Sequence, residues 1–225
     1  VDNDSSDNSF YHLSREFSKS ENIYIYQSSE NGGYAKGNNI ALRQYRFNGN
    51  ELIVISNNDI IIDDEFLLSK WEAAHSKCKN VALTSPKMFI NNYPSIHRAW
   101  KIPSYWDSFK ASTSILESLL GDKKLYVFHC NTPIQEVECL PGSFFMISYD
   151  LFKDLGFFDE GTFLYAEETI LARKIRDKGL KNYLLNDISY AHLVSKTISH
   201  HLSRARMRIY FIESLCYYHK KYDGV

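Results

Sequence analysis

Three polar clusters in this sequence combine the residue types that bind metal ions or move protons. Residues 1–7 read Val-Asp-Asn-Asp-Ser-Ser-Asp, residues 55–59 read Ile-Ser-Asn-Asn-Asp, and residues 157–168 place four carboxylates among aromatic side chains. Carboxylate oxygens are the ligands that Mg²⁺ and Mn²⁺ prefer in proteins. A carboxyl group in apolar surroundings has a raised pKa and can act as a general base. The clusters therefore indicate a metal site and an acid–base site.

Each cluster also has an interpretation that involves no catalysis. Asp, Asn and Ser at 1–7 are typical of a turn and a helix cap. Asp59 can belong to a polar turn that precedes the next helix. The adjacent Glu167 and Glu168 begin a predicted helix, where the helix dipole favours negative charge. From the residues alone, both interpretations stay open.

Two further segments have the composition of a ligand site. Residues 31–39, Asn-Gly-Gly-Tyr-Ala-Lys-Gly-Asn-Asn, form a glycine-rich turn that leads into a predicted helix. They match neither G-x-G-x-x-G nor the P-loop pattern, so neither the dinucleotide fingerprint nor a P-loop is present. His192 follows an extended segment, where it is either a metal ligand or a buried structural histidine.

The elements that must position these residues alternate between strand and helix over the first 90 residues. Short β-branched or aromatic runs predict strands at 23–26, 52–55 and 81–84, with 52–55 apolar on both faces as in a central parallel strand. Helices are predicted at 9–17, 35–45 and 65–75. This alternation favours an α/β fold with a doubly wound, mixed but mostly parallel sheet flanked by helices. The polar clusters follow strands, where such sheets place ligands.

The second half of the chain is less regular. Helices are predicted at 106–120, 149–155 and 167–177, strands at 125–129 and 137–147, and an extended segment at 183–192. A final helix over 200–221 carries an apolar stripe flanked by arginines. We therefore expect a main domain at 1–195 and a C-terminal helical extension at 196–225. Because residue 1 resembles the end of a strand, we also expect a further strand and helix upstream.

Composition excludes several classes of protein. Of 225 residues, 44% are hydrophobic, the formal net charge is −1, and no apolar run approaches the roughly 20 residues of a membrane-spanning helix. The balanced charge argues against a nucleic-acid binder. The four cysteines show no C-x-x-C pair, so neither a disulfide framework nor a zinc site is predicted. Aromatic residues make up 15% of the chain, more than a core needs.

With these segments in order, the chain resembles the family 2 glycosyltransferases of the GT-A fold, within them the rhamnosyltransferase-like branch. The resemblance covers nearly the whole chain. It is carried by residues 1–7, 31–39, Ser-Asn-Asn-Asp at 56–59, Pro-Gly-Ser-Phe-Phe-Met-Ile at 141–147, Gly-Phe-Phe-Asp-Glu at 156–160, Phe-Leu-Tyr-Ala-Glu-Glu at 163–168, and His192. It implies transfer of a sugar from a nucleotide-diphosphate donor to an acceptor hydroxyl with inversion at the anomeric carbon.

The resemblance also assigns residues to roles. Asp59 and His192 match metal contacts for Mn²⁺ or Mg²⁺, Glu168 matches the catalytic base, and Glu167 is its neighbour in the acceptor site. Glu168 stands where the family usually has Asp, so the base is one methylene longer. The expected nucleotide contacts are Asp2, Asn3, Asn31, Lys36, Asn38 and Asn57. The expected sugar and acceptor contacts are Gly142, Phe158, Asp159 and Tyr165.

The expected activity is that of a metal-dependent inverting hexosyl- or rhamnosyltransferase using a UDP- or dTDP-sugar. The expected setting is bacterial surface polysaccharide synthesis at the cytoplasmic face of the plasma membrane, with a saccharide or lipid-linked saccharide acceptor. A non-catalytic nucleotide-sugar or glycan-binding module and a nucleotidyltransferase remain alternatives. The basic, aromatic C-terminal helix predicts contact with anionic lipid, or instead packing against the domain or the second subunit of a homodimer.

Overall fold

One mixed β-sheet organises the chain in the computed structural model, which describes residues 1–49, 51–112, 126, 132–193 and 203–225. Within these residues the sheet has seven strands, and five of them follow the order β1-β6-β3-β7-β2, while β4 pairs with β3 and β5 with β7. The strands are β1 (Leu52–Ser56), β2 (Ile60–Ile61), β3 (Val81–Ile90), β4 (Tyr93–Pro94), β5 (Ile134–Val137), β6 (Phe144–Ser148) and β7 (Lys181–His192).

The predicted strand directions were wrong. Among the described strands only β3 and β7 pair in parallel, and the other five pairings are antiparallel. Strand β1 was predicted to be central and parallel, but it ends the described strand order and runs antiparallel to β6. Its side chains alternate, since Ile53 and Ile55 are buried while Leu52 is exposed. An unbroken apolar run therefore does not establish burial on both faces.

Strand β6 is buried on both faces. Phe145 and Ile147 belong to the core beneath α2, α5 and α6, whereas Phe144 and Met146 belong to a second core with α3. This alternation follows from the two-residue period of a strand. The sheet thus separates two apolar layers, as predicted for an α/β sheet flanked by helices.

Most predicted helices are present. They are α1 (Ser9–Glu16), α2 (Gly33–Gln44), α3 (Leu67–His75), α4 (Tyr105–Ser112), α5 (Tyr149–Asp154), α6 (Glu167–Asp177) and α7 (Arg204–Tyr218), with a short 3₁₀ helix at Ile96–Arg98 and a π-helical turn at His219–Asp223 after α7. Helix α4 accounts for the start of the helix predicted at 106–120, and the part from 113 onward lies outside the described residues.

Three strand predictions need correction or qualification. Residues 23–26 form no strand, because the only described pairing nearby is a single parallel bridge between Asp2 and Gln27. The strand predicted at 137–147 is two strands, β5 and β6, separated by a connection that contains Pro141 and Gly142. Of the strand predicted at 125–129, only Tyr126 is described, and it bridges to Trp100.

The aromatic side of α7 packs against the rest of the chain. The Tyr210 ring lies 4.6 Å from Phe163, and Ser214 Oγ donates a hydrogen bond to the Leu164 carbonyl at 2.8 Å. Tyr218 is buried. The aromatic stripe is therefore an intramolecular interface, which agrees with the alternative in which this helix packs against the domain. No helix in the described part of the chain has the length and apolar character needed to cross a membrane.

Candidate active site

Asp59 and His192 meet at one end of the sheet. Strand β2 begins one residue after Asp59 and pairs antiparallel with the end of β7, so that Ile60 lies opposite His192. The Leu193 amide donates to the Asp59 carbonyl at 2.9 Å, and His192 Nε2 lies 3.1 Å from Asp59 Oδ1. Both side chains are mostly buried, with exposed fractions of 18% for His192 and 15% for Asp59. Strand pairing thus brings together two residues 133 positions apart.

This pair fits a hard divalent cation. Octahedral Mg²⁺ binds its ligands at about 2.0–2.1 Å, which places adjacent ligand atoms about 3 Å apart. The observed 3.1 Å between Asp59 Oδ1 and His192 Nε2 agrees with that spacing. No group of three or more His, Cys, Asp or Glu side chains suited to a metal occurs among the described residues. A cation here would therefore take its other ligands from water or from a phosphate group, as Mg²⁺ commonly does.

The second chemical group is the glutamate pair in the first turn of α6. The two residues before it, Tyr165 and Ala166, have φ angles of 74° and 68°. Such left-handed backbone is unfavourable for residues other than glycine, and it is often found at functional sites. These two residues directly precede Glu167, so the helix that carries both carboxyl groups begins right after them.

Glu168 is held by the backbone of Gly142. The Gly142 amide donates to Glu168 Oε1 at 3.2 Å, and the Gly142 carbonyl accepts a hydrogen bond from the Tyr34 hydroxyl at 2.6 Å. A Cβ atom at position 142 would lie 3.0 Å from Glu168 Oε1 and 3.1 Å from the Tyr34 oxygen, so glycine allows this close approach. Burial raises the pKa of Glu168. Burial, together with the negative charge of Glu168, also raises the pKa of Tyr34 well above its usual value.

Glu167 is buried beside Glu168. Only 4% of the residue is exposed, and its Oε1 has no hydrogen-bond partner among the described residues. Burial and the neighbouring Glu168 carboxylate raise the pKa of Glu167 to about 8. The two carboxyl groups therefore titrate as a pair that retains a proton at neutral pH.

Gly142 and Ser143 connect the glutamate pair to the Asp59–His192 pair. The Ser143 carbonyl accepts a hydrogen bond from the Asn57 amide at 2.8 Å, and Ser143 Oγ lies 2.8 Å from the Tyr190 hydroxyl. Asn57 precedes Asp59 by two residues, and Tyr190 precedes His192 by two residues. Gly142 and Ser143 thus contact the loop that carries Asp59, the strand that carries His192, and the candidate base Glu168. The sequence assigned Gly142 but missed Ser143, Tyr190 and Tyr34.

A cavity of about 590 Å³ contains much of this arrangement. Of the residues predicted from the sequence, it is lined by Asn57, Gly142, Tyr165, Glu167, Glu168 and His192. Asp59 adjoins it through the contact with His192. The cavity therefore has both glutamates and His192 of the Asp59–His192 pair on its walls.

Two of the residues predicted to bind the nucleotide lie in a different place. Asp2 and Asn3 line a second depression of about 660 Å³, together with Asn58. Asn3 Nδ2 donates to Asn31 Oδ1 at 3.2 Å and to the Gly33 carbonyl at 3.0 Å, which ties residues 1–3 to the start of α2. Asn58 comes one residue before Asp59, so the second depression adjoins the Asp59 loop.

Besides Asn31 and Asp59, whose contacts are given above, four predicted residues line neither cavity. Lys36 forms an ion pair with Glu30, and Asn38 Nδ2 donates to the Tyr34 carbonyl at 2.9 Å within α2. Phe158 is a core residue, only 2% exposed, because the loop after α5 folds it under the sheet. The fourth is Asp159, which is turned toward the C-terminal helix.

Asp159 joins the loop before α6 to the end of the chain. Its carboxylate accepts hydrogen bonds from the Tyr217 hydroxyl at 2.8 Å, from Lys221 Nζ at 2.8 Å and from the Tyr222 hydroxyl. Burial acts to raise its pKa, but the hydrogen bonds from Lys221 and Tyr222 hold that pKa well below its usual value. Its position in an acidic, aromatic segment predicted an acceptor contact, whereas its partners come from about 60 residues downstream.

Comparison with known proteins supports a glycosyltransferase fold. No family model matches the chain. Over 175 residues it is 25% identical to the low-salt glycan biosynthesis hexosyltransferase Agl10 of Haloferax volcanii, a match that covers 77% of this chain and 53% of that protein. The chain therefore spans about half the length of the curated relative.

Solved structures agree in fold at low sequence identity. The match to the crystal structure of GalNAc-T7 with UDP, GalNAc and Mn²⁺ covers 97% of this chain and 42% of the GalNAc-T7 chain, with a TM-score of 0.62 and 12% identity. The match to the mannosyltransferase PcManGT of Pyrobaculum calidifontis, in complex with GDP-Man and Mn²⁺, covers 97% of this chain and 59% of the PcManGT chain, with a TM-score of 0.57 and 16% identity. The match to the crystal structure of S. aureus TarS 1–349 covers 99% of this chain and 61% of the TarS chain, with a TM-score of 0.52 and 18% identity.

The chain has a GT-A-like fold. This confirms the architecture expected from the resemblance, with the strand directions corrected. The chain is also a distant relative of a hexosyltransferase. Because the structural matches lie below 20% identity, they establish the fold, and the chemistry must be argued from the site itself.

Proposed function

We propose that this chain is the catalytic part of a metal-dependent, inverting glycosyltransferase that moves a hexosyl or rhamnosyl group from a nucleoside-diphosphate donor to an acceptor hydroxyl. One observation supports this most directly: His192, paired with Asp59, and the partly buried Glu168 line the same cavity. Displacement at an anomeric carbon needs charge neutralisation on the leaving-group side and a base on the acceptor side. We assign residues 1–195 to the transferase domain and 196–225 to a helical extension.

In the proposed reaction Glu168 accepts the proton of the acceptor hydroxyl as its oxygen attacks the anomeric carbon. The bond between that carbon and the diphosphate oxygen breaks, and the configuration inverts. The Gly142 amide keeps Glu168 Oε1 in place, and Tyr34 in turn holds Gly142. Asp59 and His192 would hold Mn²⁺ or Mg²⁺, which when bound offsets the negative charge of the leaving diphosphate.

The donor nucleotide would occupy the second depression, with Asp2 and Asn3 beside the base and ribose. This position next to the Asp59 loop lets a diphosphate extend from the nucleotide toward the Asp59–His192 pair. The residues do not determine the sugar or the base, so UDP- and dTDP-hexoses and dTDP-rhamnose are the donors to examine first. The name of the archaeal relative supports glycan assembly as the pathway.

The decisive experiment measures release of nucleoside diphosphate from a panel of UDP-, dTDP- and GDP-sugars with Mn²⁺, and the anomeric configuration of the product by NMR. Asp59→Asn should abolish turnover because the carboxylate ligand is lost. Asp63→Asn is the matched control, since Asp63 is an exposed residue of the following loop. Unchanged turnover in Asp59→Asn would refute the metal assignment.

Two other outcomes would replace the proposal. Release of pyrophosphate in place of nucleoside diphosphate would identify a nucleotidyltransferase. Donor binding by calorimetry without turnover across a panel of acceptors would identify a nucleotide-sugar or glycan-binding module.

A further inference from the structure

The wall of the 590 Å³ cavity is mostly apolar. Its described side chains include Ile90, Trp100, Pro103, Ala111, Phe211 and Leu215. Polar residues line the cavity as well, among them His97, Lys101, Asp107 and Ser108. Asp107 accepts a hydrogen bond at 2.9 Å from the amide of Ser104, the residue before α4. The cavity thus combines the glutamates and His192 with a lining that is largely apolar.

This apolar wall is built from three separate elements that are fixed in place. Trp100 exchanges backbone hydrogen bonds with Cys139, at 3.2 Å and 2.8 Å. Phe211 and Leu215 are four residues apart on α7, the helix whose aromatic side packs on the loop before α6. Ala111 lies on α4. Because three elements converge, the wall is a formed surface of the site.

A wall of this composition suits an aliphatic group better than a sugar ring alone. Each buried hydroxyl without a hydrogen-bond partner loses free energy relative to water. Each methylene group that leaves water gains free energy instead. The space beyond the reacting hydroxyl is therefore more favourable for a hydrocarbon chain than for a further sugar.

The outer side of α4 carries a second set of apolar groups. Tyr105, Trp106 and Phe109 have exposed fractions of 43%, 66% and 47%. Aromatic residues of this kind are enriched at membrane–water interfaces, since one end is apolar and the other accepts water. The short helix that contributes Ala111 to the cavity thus presents aromatic side chains to its surroundings. A hydrocarbon chain leaving the cavity along α4 would reach an apolar surface.

We propose that the acceptor is an amphiphile, in which the sugar that carries the reacting hydroxyl is joined to an aliphatic chain lying against the wall formed by Trp100, Ala111 and Phe211. This inference rests on the proposed function, because it concerns the acceptor of the same site. It assigns lipid recognition to the cavity and α4, whereas the sequence pointed to the C-terminal helix.

The test compares binding of octyl and methyl glycosides to the full chain by calorimetry, using glucoside, galactoside and mannoside pairs below the micelle-forming concentration. Burial of two or three methylene groups should make octyl glycosides bind about 15- to 60-fold more tightly than their methyl counterparts. Ala111→Leu narrows the wall and should remove most of this difference. Ala73→Leu, the same change at an exposed position of α3 that lines neither cavity, should leave it unchanged.

Equal binding of octyl and methyl glycosides would overturn the inference, and so would an octyl preference that persists in full in Ala111→Leu. Neither result bears on the proposed function, which is measured separately as Mn²⁺-dependent release of nucleoside diphosphate from donor alone. Absence of that release in all donor assays would refute the proposed function while the binding comparison stands on its own.

Discussion

The two carboxylate regions of the cavity differ in what surrounds them. Asp59 lies beside an imidazole at the end of paired strands, 3.1 Å from His192 Nε2. Glu167 and Glu168 lie beside each other at a helix start. Glu167 is buried, Glu168 is partly buried, and both have raised pKa values. The first arrangement suits a bound cation, and the second suits the uptake of a proton. Acidic side chains therefore take different roles according to burial and partner, a pattern also seen in other acid–base sites.

The largest expected effect on kcat distinguishes Glu168 from Glu167. Glu168→Gln removes the base while keeping the size of the side chain, so kcat for transfer should fall about 10³-fold with little change in donor affinity. Glu167→Gln should cost much less, because Glu167 lacks the bond to the Gly142 amide. Steady-state kinetics with donor and acceptor varied separately would measure both. A larger loss in Glu167→Gln would exchange the two assignments.

Substitution of a proposed metal ligand should change the Mn²⁺ concentration that turnover requires. His192→Ala removes one of the two ligands that fit a cation, so the Mn²⁺ concentration for half-maximal donor turnover should rise at least about tenfold, which corresponds to about 1.4 kcal/mol of binding free energy. A Mn²⁺ titration measures it. His97→Ala is the control, since His97 lines the cavity but is not part of the pair. An unchanged Mn²⁺ requirement in His192→Ala would contradict the assignment.

The glutamate side should respond to pH. Because the pKa values of Glu167 and Glu168 are raised, the basic form of the pair is scarce at low pH, and kcat/KM should increase as pH rises toward about 8. Glu167→Gln removes the neighbouring negative charge and should shift this rise to lower pH. A pH profile of kcat/KM in both proteins tests this. An identical profile in Glu167→Gln would show that the carboxyl groups do not interact.

The buried Glu167 should also affect the free energy of unfolding, which should fall as pH rises, whereas kcat/KM should increase. A carboxyl group whose folded pKa is raised stabilises the fold while it is protonated, so this contribution is lost as pH rises from the unfolded value of about 4.5 toward 8. Glu167→Gln should therefore increase the free energy of unfolding at pH 8, on the order of 2 kcal/mol, and change it little at pH 4. Denaturant melts at the two pH values measure the difference. Equal shifts at both would exclude a protonation effect.

A third carboxylate extends the comparison and gives the smallest expected effect on catalysis. Asp159→Asn weakens the bonds to Tyr217, Lys221 and Tyr222 and should lower the free energy of unfolding by about 2 kcal/mol. The exposed Asp154→Asn is the control. Thermal melts report stability, and kcat for Asp159→Asn should stay within a few-fold of the unaltered protein. Loss of turnover without loss of stability would instead return Asp159 to the acceptor site.

The sequence by itself determined much of the local structure. Periodicity and helix-end signals located α5 and α6 within one residue, and β1 likewise. These features depend on neighbouring residues, whose spacing is visible in the chain. The resemblance named Asp59, His192, Gly142 and Glu168 as one site, and the folded chain brings them to one cavity and its edge.

Only the tertiary structure decided how distant segments meet. The direction of β1 depends on pairing with β6, about 95 residues away, and no pattern within the Leu52–Ser56 run records it. The contact between Ser143 and Tyr190, which links the two parts of the site, also joins distant segments. So does the hydrogen bond between Asp159 and Lys221 near the end of the chain. Raised pKa values belong to this category too, because burial comes from all the elements that surround a carboxyl group. Side-chain type supplies the chemistry, and packing between remote segments determines the state in which it is used.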